Sequence, residues 1–252
     1  MRCRNCHAKP KAGEGRVGTI LKWPPWRYRK LLRRCSRGAQ ASNWRWKSHF
    51  QTQSFMLISI DGCVGIGKTT VARGLASFRG SSVLLESFEL NPFLREFYEN
   101  PAGTAIETEF SFLLLHFHQL KSVAATVATS EVVADFHLGK DLLYADLNLR
   151  NVHARRVFQD LYAFCRPAVP KPDILVFLSG PTPLIVERIR SRQRDFELKI
   201  APEYYGVINA AYERSYLAYS GNKLRLDMNE WDFISDKNLY AALDELINRE
   251  LK

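Results

Sequence analysis

Nine residues, Gly62 to Thr70, read GCVGIGKTT directly after the apolar run MLISID. The spacing of Gly62, Gly67, Lys68 and Thr69 meets the pattern G-x-x-x-x-G-K-[ST], and Gly65 adds a further turn residue. Met56 to Asp61 reads as a strand, and KTTVARGLASF as a helix with Val71, Leu75 and Phe78 along one side. Glycines at these places let the backbone take positive φ and bring several N–H groups to one point, while the new helix adds the positive end of its dipole. The result is an anion nest. Gly62, Cys63, Val64, Gly65, Ile66, Gly67, Lys68, Thr69 and Thr70 are therefore expected to hold a triphosphate. Lys68 would reach the β- and γ-phosphates, and the Thr69 hydroxyl would be a ligand for Mg²⁺.

The rest of the chain must supply a fold for this loop and an acceptor for the phosphate. At 252 residues with 46% apolar and 25% charged composition, one sizeable core is affordable. The longest apolar stretch of note, FSFLLLHF, is too short to cross a bilayer. The formal charge of +10 is unevenly placed: residues 1–55 hold 14 Lys+Arg and one acid, Glu14, leaving 22 basic against 25 acidic residues in the remainder. A mildly acidic body does not match a nucleic-acid binder, whose basic surface lies on the fold itself.

Residues 1–55 also carry four of the five Trp and three of the five Cys, without strand alternation or a helical stripe. Three readings fit this segment: an Arg-rich targeting peptide, a basic arm for an anionic surface, or sequence upstream of the true start, since Met56 opens the first strand. The last is the expectation, so residues 1–55 form a basic extension and residues 56–252 the functional domain. CRNCH at Cys3 to His7 matches a haem or zinc spacing, but an export signal and a clear fourth ligand are both missing. Cys63 and Cys165 alone remain in the body, which implies no disulfide framework and fits a reducing, cytoplasmic compartment.

Downstream, SVLLES (82–87), EVVADF (131–136), DILVFLS (173–179) and KLRLD (223–227) are short apolar runs separated by helix-length segments. With the first run they predict an α/β fold, a five-stranded parallel sheet with helices on both faces. Ligands in such sheets bind at the carboxyl ends of the strands. Glu86 ends the second run and is placed to act as general base on an acceptor hydroxyl. Asp135 ends the third and is the candidate to bind Mg²⁺ with Thr69.

From Met56 to about Asp227 the chain resembles the deoxyribonucleoside kinase family, in particular bacterial deoxyadenosine and deoxyguanosine kinases. The resemblance rests on GCVGIGKTT, ESFELNPFLREFYENP, TEFSFLLLHFHQL and ERIRSRQRDFE in that order. It implies a P-loop kinase fold that uses ATP and Mg²⁺ to phosphorylate the 5′-hydroxyl of a deoxynucleoside, working as a homodimer. It matches Glu86 to the general base, and Tyr98 and Glu213 to the pair that holds the sugar 3′-hydroxyl. ERIRSRQRDFE matches an Arg-rich lid in which Arg192 and Arg194 contact the transferred phosphate and Arg188 lies nearer the adenine of ATP. Guanidinium suits that task because the spread charge of phosphoryl transfer needs planar donors. Glu109 falls where the family often has a glutamine against the nucleobase, and a carboxylate there accepts but does not donate unless protonated. His116, seven residues on, is on the same helix face and equally suits a core. A further departure is the stretch ADFHLGKDL, which lacks the family's Asp-Arg-Ser arginine; Lys140 is the candidate for that positive charge.

Two other functions compete. A monophosphate kinase of thymidylate kinase type needs arginines that grip an acceptor phosphate, whereas YENP and Glu213 suit a bare sugar. A nucleic-acid-dependent ATPase would rely on the basic arm, against the acidic balance of the body.

Overall fold

The apolar run after Met56 forms β1 (Leu57–Gly62) in the computed structural model, which describes residues 56–198 and 200–252. All six residues of β1 are buried, the pattern of a central parallel strand covered on both faces. β2 (Ser82–Leu84), β3 (Val132–Ala134), β4 (Ile174–Ser179) and β5 (Lys223–Asp227) complete a sheet of order β2-β3-β1-β4-β5. Every pairing is parallel; Ser59 stands opposite Ala134 on one side and Gly62 opposite Leu178 on the other.

Ten α-helices connect and cover these strands among the described residues: α1 (Lys68–Arg79), α2 (Leu94–Glu99), α3 (Pro101–Ser122), α4 (Ala124–Val127), α5 (Lys140–Asn148), α6 (Val152–Cys165), α7 (Thr182–Ser191), α8 (Asp195–Leu198), α9 (Pro202–Ala218) and α10 (Leu239–Glu250). Alternation along the strands divides the core. Ile58, Ile60 and Val133 pack with Val71 and Leu75 of α1, Ile185 and Ile189 of α7, and Leu243 and Ile247 of α10. Leu57, Val132 and Ala134 point the other way and meet Val127 of α4. A further cluster joins Leu113 and Leu120 of α3 to Phe136 and to Phe158 of α6. Sheet and helix periods thus bury opposite sets of side chains from the same short runs.

Two expectations are corrected in detail. Phe78 is 51% exposed, because the buried stripe of α1 is Val71, Ala72, Leu75 and Ala76 and Phe78 lies at its edge on the last turn. The second strand ends at Leu84 rather than running through Ser87. Beyond it, side chains replace the ladder: the Glu86 amide donates to Asp135 Oδ1 at 2.7 Å, and Gln119 Nε2 donates to the Leu85 carbonyl at 2.8 Å. That early departure is what frees the Glu86 side chain from the sheet. The readings of residues 1–55 lie outside the described residues.

The end of β1 allows little variation. Gly62 has φ 137°, and a Cβ there would run into the Leu178 carbonyl of β4. Gly62→Ala is expected to destabilise the protein by about 1–3 kcal/mol through backbone strain alone, with steric clash adding to it. An unchanged midpoint in urea denaturation would contradict this account of the turn.

Candidate active site

The glycine loop wraps the carboxyl end of β1. Gly62, Gly65 and Gly67 all have positive φ, and α1 begins at Lys68 with no side chain capping its first amides. Those amides and the helix dipole face the loop, which is the physical requirement for binding phosphate. Lys68 Nζ donates to the carbonyls of Gly62 at 2.8 Å and Cys63 at 3.0 Å. Burial, together with the nearby charge of Lys140, lowers the Lys68 pKa. Val64, Gly65, Gly67, Lys68, Thr69 and Thr70 border a cavity of roughly 750 Å³. Cys63 and Ile66 instead turn their side chains into the core, so these two offer the cavity only main chain. Arg188 braces the loop, its guanidinium donating to the Ile66 carbonyl at 2.6 Å.

Beside the loop stands a connected set of charges. Asp135 accepts from the Thr69 hydroxyl through Oδ2 at 2.6 Å and from the Glu86 amide through Oδ1. Glu86 meets Lys140 Nζ at 2.6 Å and His116 Nε2 at 3.1 Å, and His116 Nδ1 meets Asp141 at 2.7 Å. Burial alone would raise the Glu86 carboxyl, but the Lys140 ammonium and the His116 hydrogen bond overcome it and hold the group well below the usual carboxylate range. Burial opposes charge on His116 too, yet Asp141 and Glu86 carry its pKa up to about 9. The positive charge that the sequence lacks at an arginine position thus arrives on Lys140, the first residue of α5, four residues after the wholly buried Phe136.

Another part of the cavity lining is aromatic and acidic. Tyr98 stacks on Phe196 with ring centroids 5.2 Å apart, and burial and the negative charge of Glu197 raise its phenol pKa well above the ordinary value. Glu197, 3% exposed, receives Arg192 through two bonds of 2.8 and 2.9 Å and Arg194 at 3.4 Å. Arg194 also lies over the Phe88 ring at 4.3 Å. Glu213 is a correction: it pairs with Arg225 at 2.9 Å and does not border the cavity. Tyr204 of the same helix does face the cavity, and nine residues at 3.6 per turn put Glu213 on the opposite side. Glu197 is the carboxylate that faces Tyr98. Its place three residues after Arg194 and five after Arg192 was the available signal.

Glu109 is 3% exposed and accepts from Asn148 Nδ2 at 2.7 Å. Burial, aided by the negative charge of Asp141, pushes its carboxyl up to about 8. The cavity therefore joins a phosphate nest, an ionised carboxylate at its rim and a polar recess, the components of a phosphotransferase with a small acceptor. The described residues contain no cluster of three His, Cys, Asp or Glu suited to a metal. Thr69 and Asp135 do offer two hard oxygen donors at the loop, a set that fits Mg²⁺ when phosphates and water complete its shell.

Residues 58–251 match the model of the deoxynucleoside kinase family. The chain belongs to that family. It is 30% identical over 158 residues to a deoxyguanosine kinase of Bacillus subtilis, spanning 62% of this chain and 76% of the relative. It is 26% identical over 190 residues to a deoxyadenosine/deoxycytidine kinase of the same organism, spanning 72% and 87%. Among solved structures it resembles the deoxyadenosine kinase of M. mycoides with bound dATP, with TM-score 0.66 and 26% identity over 77% of this chain and 99% of that one. Among the described residues no helix is long and apolar enough to cross a membrane.

The Glu109 carboxyl carries a stability consequence. With its folded pKa above the unfolded value, its contribution is fully present below the ordinary carboxyl pKa near 4.5 and is lost as pH rises through about 8. Glu109→Gln removes that titration. Thermal melts across pH 5 to 8.5 should show the variant gaining on the wild type as pH rises; a constant difference would contradict the burial of an ionisable group there.

Proposed function

We propose that the protein transfers the γ-phosphoryl group of ATP to the 5′-hydroxyl of a deoxyribonucleoside, a step of nucleotide salvage. The observation that carries this reading is the Glu86 carboxylate, ionised between Lys140 and His116 and fastened through its own amide to the Asp135 that holds Thr69. A carboxylate has about four acceptor sites, so Glu86 can receive the substrate hydroxyl while keeping both partners. Its lowered pKa makes it a weak base. That suits a loose transition state, in which the hydroxyl needs alignment first and gives up its proton late.

The loop amides and Lys68 would bind the β- and γ-phosphates, and Arg188 would steady the loop beneath them. Thr69 and Asp135 would hold Mg²⁺, which when bound neutralises charge on the phosphate oxygens. Arg192 and Arg194 belong to an Arg-rich lid and would pass from Glu197 toward the transferred phosphoryl group. Tyr98 and Glu197 would take the sugar 3′-hydroxyl, the role expected of Glu213. The negative charge of Glu197 against Tyr98 favours a neutral sugar hydroxyl there over an acceptor phosphate, and so a nucleoside over a monophosphate. The free cysteines Cys63 and Cys165 fit the reducing cytoplasm as the place where it would act.

The protein would act as a homodimer. α6 leaves Val152 and Phe164 75% and 76% exposed, and α3 leaves Leu114 exposed, apolar side chains that a partner subunit would cover. Sedimentation velocity should give twice the monomer mass, and Phe164→Glu should shift it to the monomer; a monomeric wild type would contradict the dimer.

Glu86→Gln should lower kcat by roughly 10²–10⁴ while ATP affinity stays within a few-fold, read by turnover with deoxynucleosides and by equilibrium nucleotide binding. Near-normal turnover would reject the base assignment. Faster phosphorylation of deoxynucleoside monophosphates than of deoxynucleosides would reject the acceptor.

A further inference from the structure

Asp61 and His137 are buried titratable side chains that the proposed mechanism leaves unused, and neither borders the cavity. Asp61 is the last residue before Gly62, while His137 stands two residues after Asp135 and three before Lys140. Their contact therefore joins two segments of the site, the root of the glycine loop and the entry to α5. The Gly139 amide donates to His137 Nδ1 at 3.2 Å, which leaves the ring hydrogen on Nε2, and Nε2 donates to Asp61 Oδ2 at 3.0 Å. Both nitrogens of the imidazole are committed, one to each segment.

The entry to α5 relies on that ring. Gly139 occupies the N-cap position and has no side chain to cap the helix. The first turn instead folds around His137, whose carbonyl accepts the Lys140 amide at 3.2 Å while its ring accepts the Gly139 amide. Glycine at 139 is not required by the backbone, since φ there is −62°, a conformation open to any residue. The ring requires it: a Cβ on Gly139 would lie 2.6 Å from His137 Cε1. Tyr219, just past α9, packs its ring nearly perpendicular to the imidazole. Lys140 is the first residue of α5, so the reach of its ammonium to Glu86, 2.6 Å away, depends on where this turn is held.

At the other end, Asp61 Oδ1 is buried without a hydrogen-bond partner, and His137 holds Oδ2. The cation that acts on this carboxylate from the loop is Lys68, whose ammonium rests on the Gly62 and Cys63 carbonyls. A buried carboxylate that lost the His137 bond would compete for Lys68, because a desolvated charge must find a partner. Held by His137, Asp61 leaves Lys68 to the phosphates.

Resting on the proposed kinase reading, we infer that His137 is a positioning residue for phosphoryl transfer. Its Nδ1 fixes the turn that aims Lys140 at Glu86, and its Nε2 restrains Asp61 so that Lys68 stays available to ATP. The imidazole acts as a strut between the two segments and touches neither substrate.

The two ends can be broken separately. In His137→Gln the side-chain amide stands where Nε2 was, which keeps a donor for Asp61 but gives the Gly139 amide no acceptor. In His137→Asn the side-chain carbonyl stands where Nδ1 was, which keeps the Gly139 bond but leaves Asp61 without its donor. With the full-length protein, His137→Gln should lower kcat about 10–100-fold, the loss that a misplaced group produces, while Mg·ATP affinity by isothermal titration calorimetry stays within a few-fold of the wild type. His137→Asn should weaken Mg·ATP binding by about tenfold or more, the loss of a hydrogen bond to a charged group, with a smaller effect on kcat at saturating ATP. Gly139→Ala keeps the imidazole but displaces it, so it should lower kcat as His137→Gln does, and it covers the case in which a His137 variant does not fold. Wild-type kcat in His137→Gln or Gly139→Ala, or equal losses of kcat and ATP affinity in both His137 variants, overturns the inference and leaves the kinase reading standing. A wild type that phosphorylates no deoxynucleoside overturns both.

Discussion

One carboxylate ties the two halves of the site together. Asp135 accepts the Thr69 hydroxyl at 2.6 Å with one oxygen and the Glu86 amide at 2.7 Å with the other. The first bond reaches the glycine loop, and the second fixes the backbone from which the Glu86 carboxylate projects. β3 places Asp135 between β1 and β2, so the sheet itself sets the separation between loop and carboxylate. Rigid support of this kind is what converts two nearby groups into an aligned pair, and alignment is most of what phosphoryl transfer asks of a protein.

Behind that pair lies a balanced set of buried charges. Glu86 and Asp141 are negative, Lys140 and His116 positive, and each carboxylate is shared with a cation. Isolated burial would neutralise any one of them; together they persist because each desolvation penalty is offset by a close partner. The arrangement costs base strength at Glu86 and yields a fixed, ionised acceptor. Glu109 lacks such a cation, and its carboxyl moves the other way, up to about 8. Two glutamates on one cavity wall thus differ in protonation because one has Lys140 against it and the other has Asn148 and a nearby Asp141.

Much of the fold was legible in the sequence. The five strand cores, the parallel order of β and α segments and the glycine loop all follow from short-range patterns, and KLRLD was read to the residue as β5. Strand ends were less legible: β2 stops at Leu84 because Asp135 and Gln119, distant in the chain, take over its backbone. Within the site, residues beside the loop or at strand ends came forward readily. Those placed by tertiary packing did not. Glu197 and Glu213 each directly follow an aromatic residue, and only the packing of α8 and α9 separates the one near Tyr98 from the one paired with Arg225. His116 reads as core histidine or as site residue from the same helical spacing, and its contacts with Glu86 and Asp141 decide between them.

The account turns on an ionised Glu86 sustained by Lys140, and the pH dependence of kcat/KM in Lys140→Met, divided by that of the wild type with the same deoxynucleoside, measures this directly. Removing the ammonium should let the buried carboxyl titrate at higher pH. The ratio should then be low throughout and fall further toward acid, about tenfold per unit below the new pKa. A ratio near one that stays level from pH 8 down to pH 5 would show that the ammonium does not hold the base in its charged form, and would contradict the account.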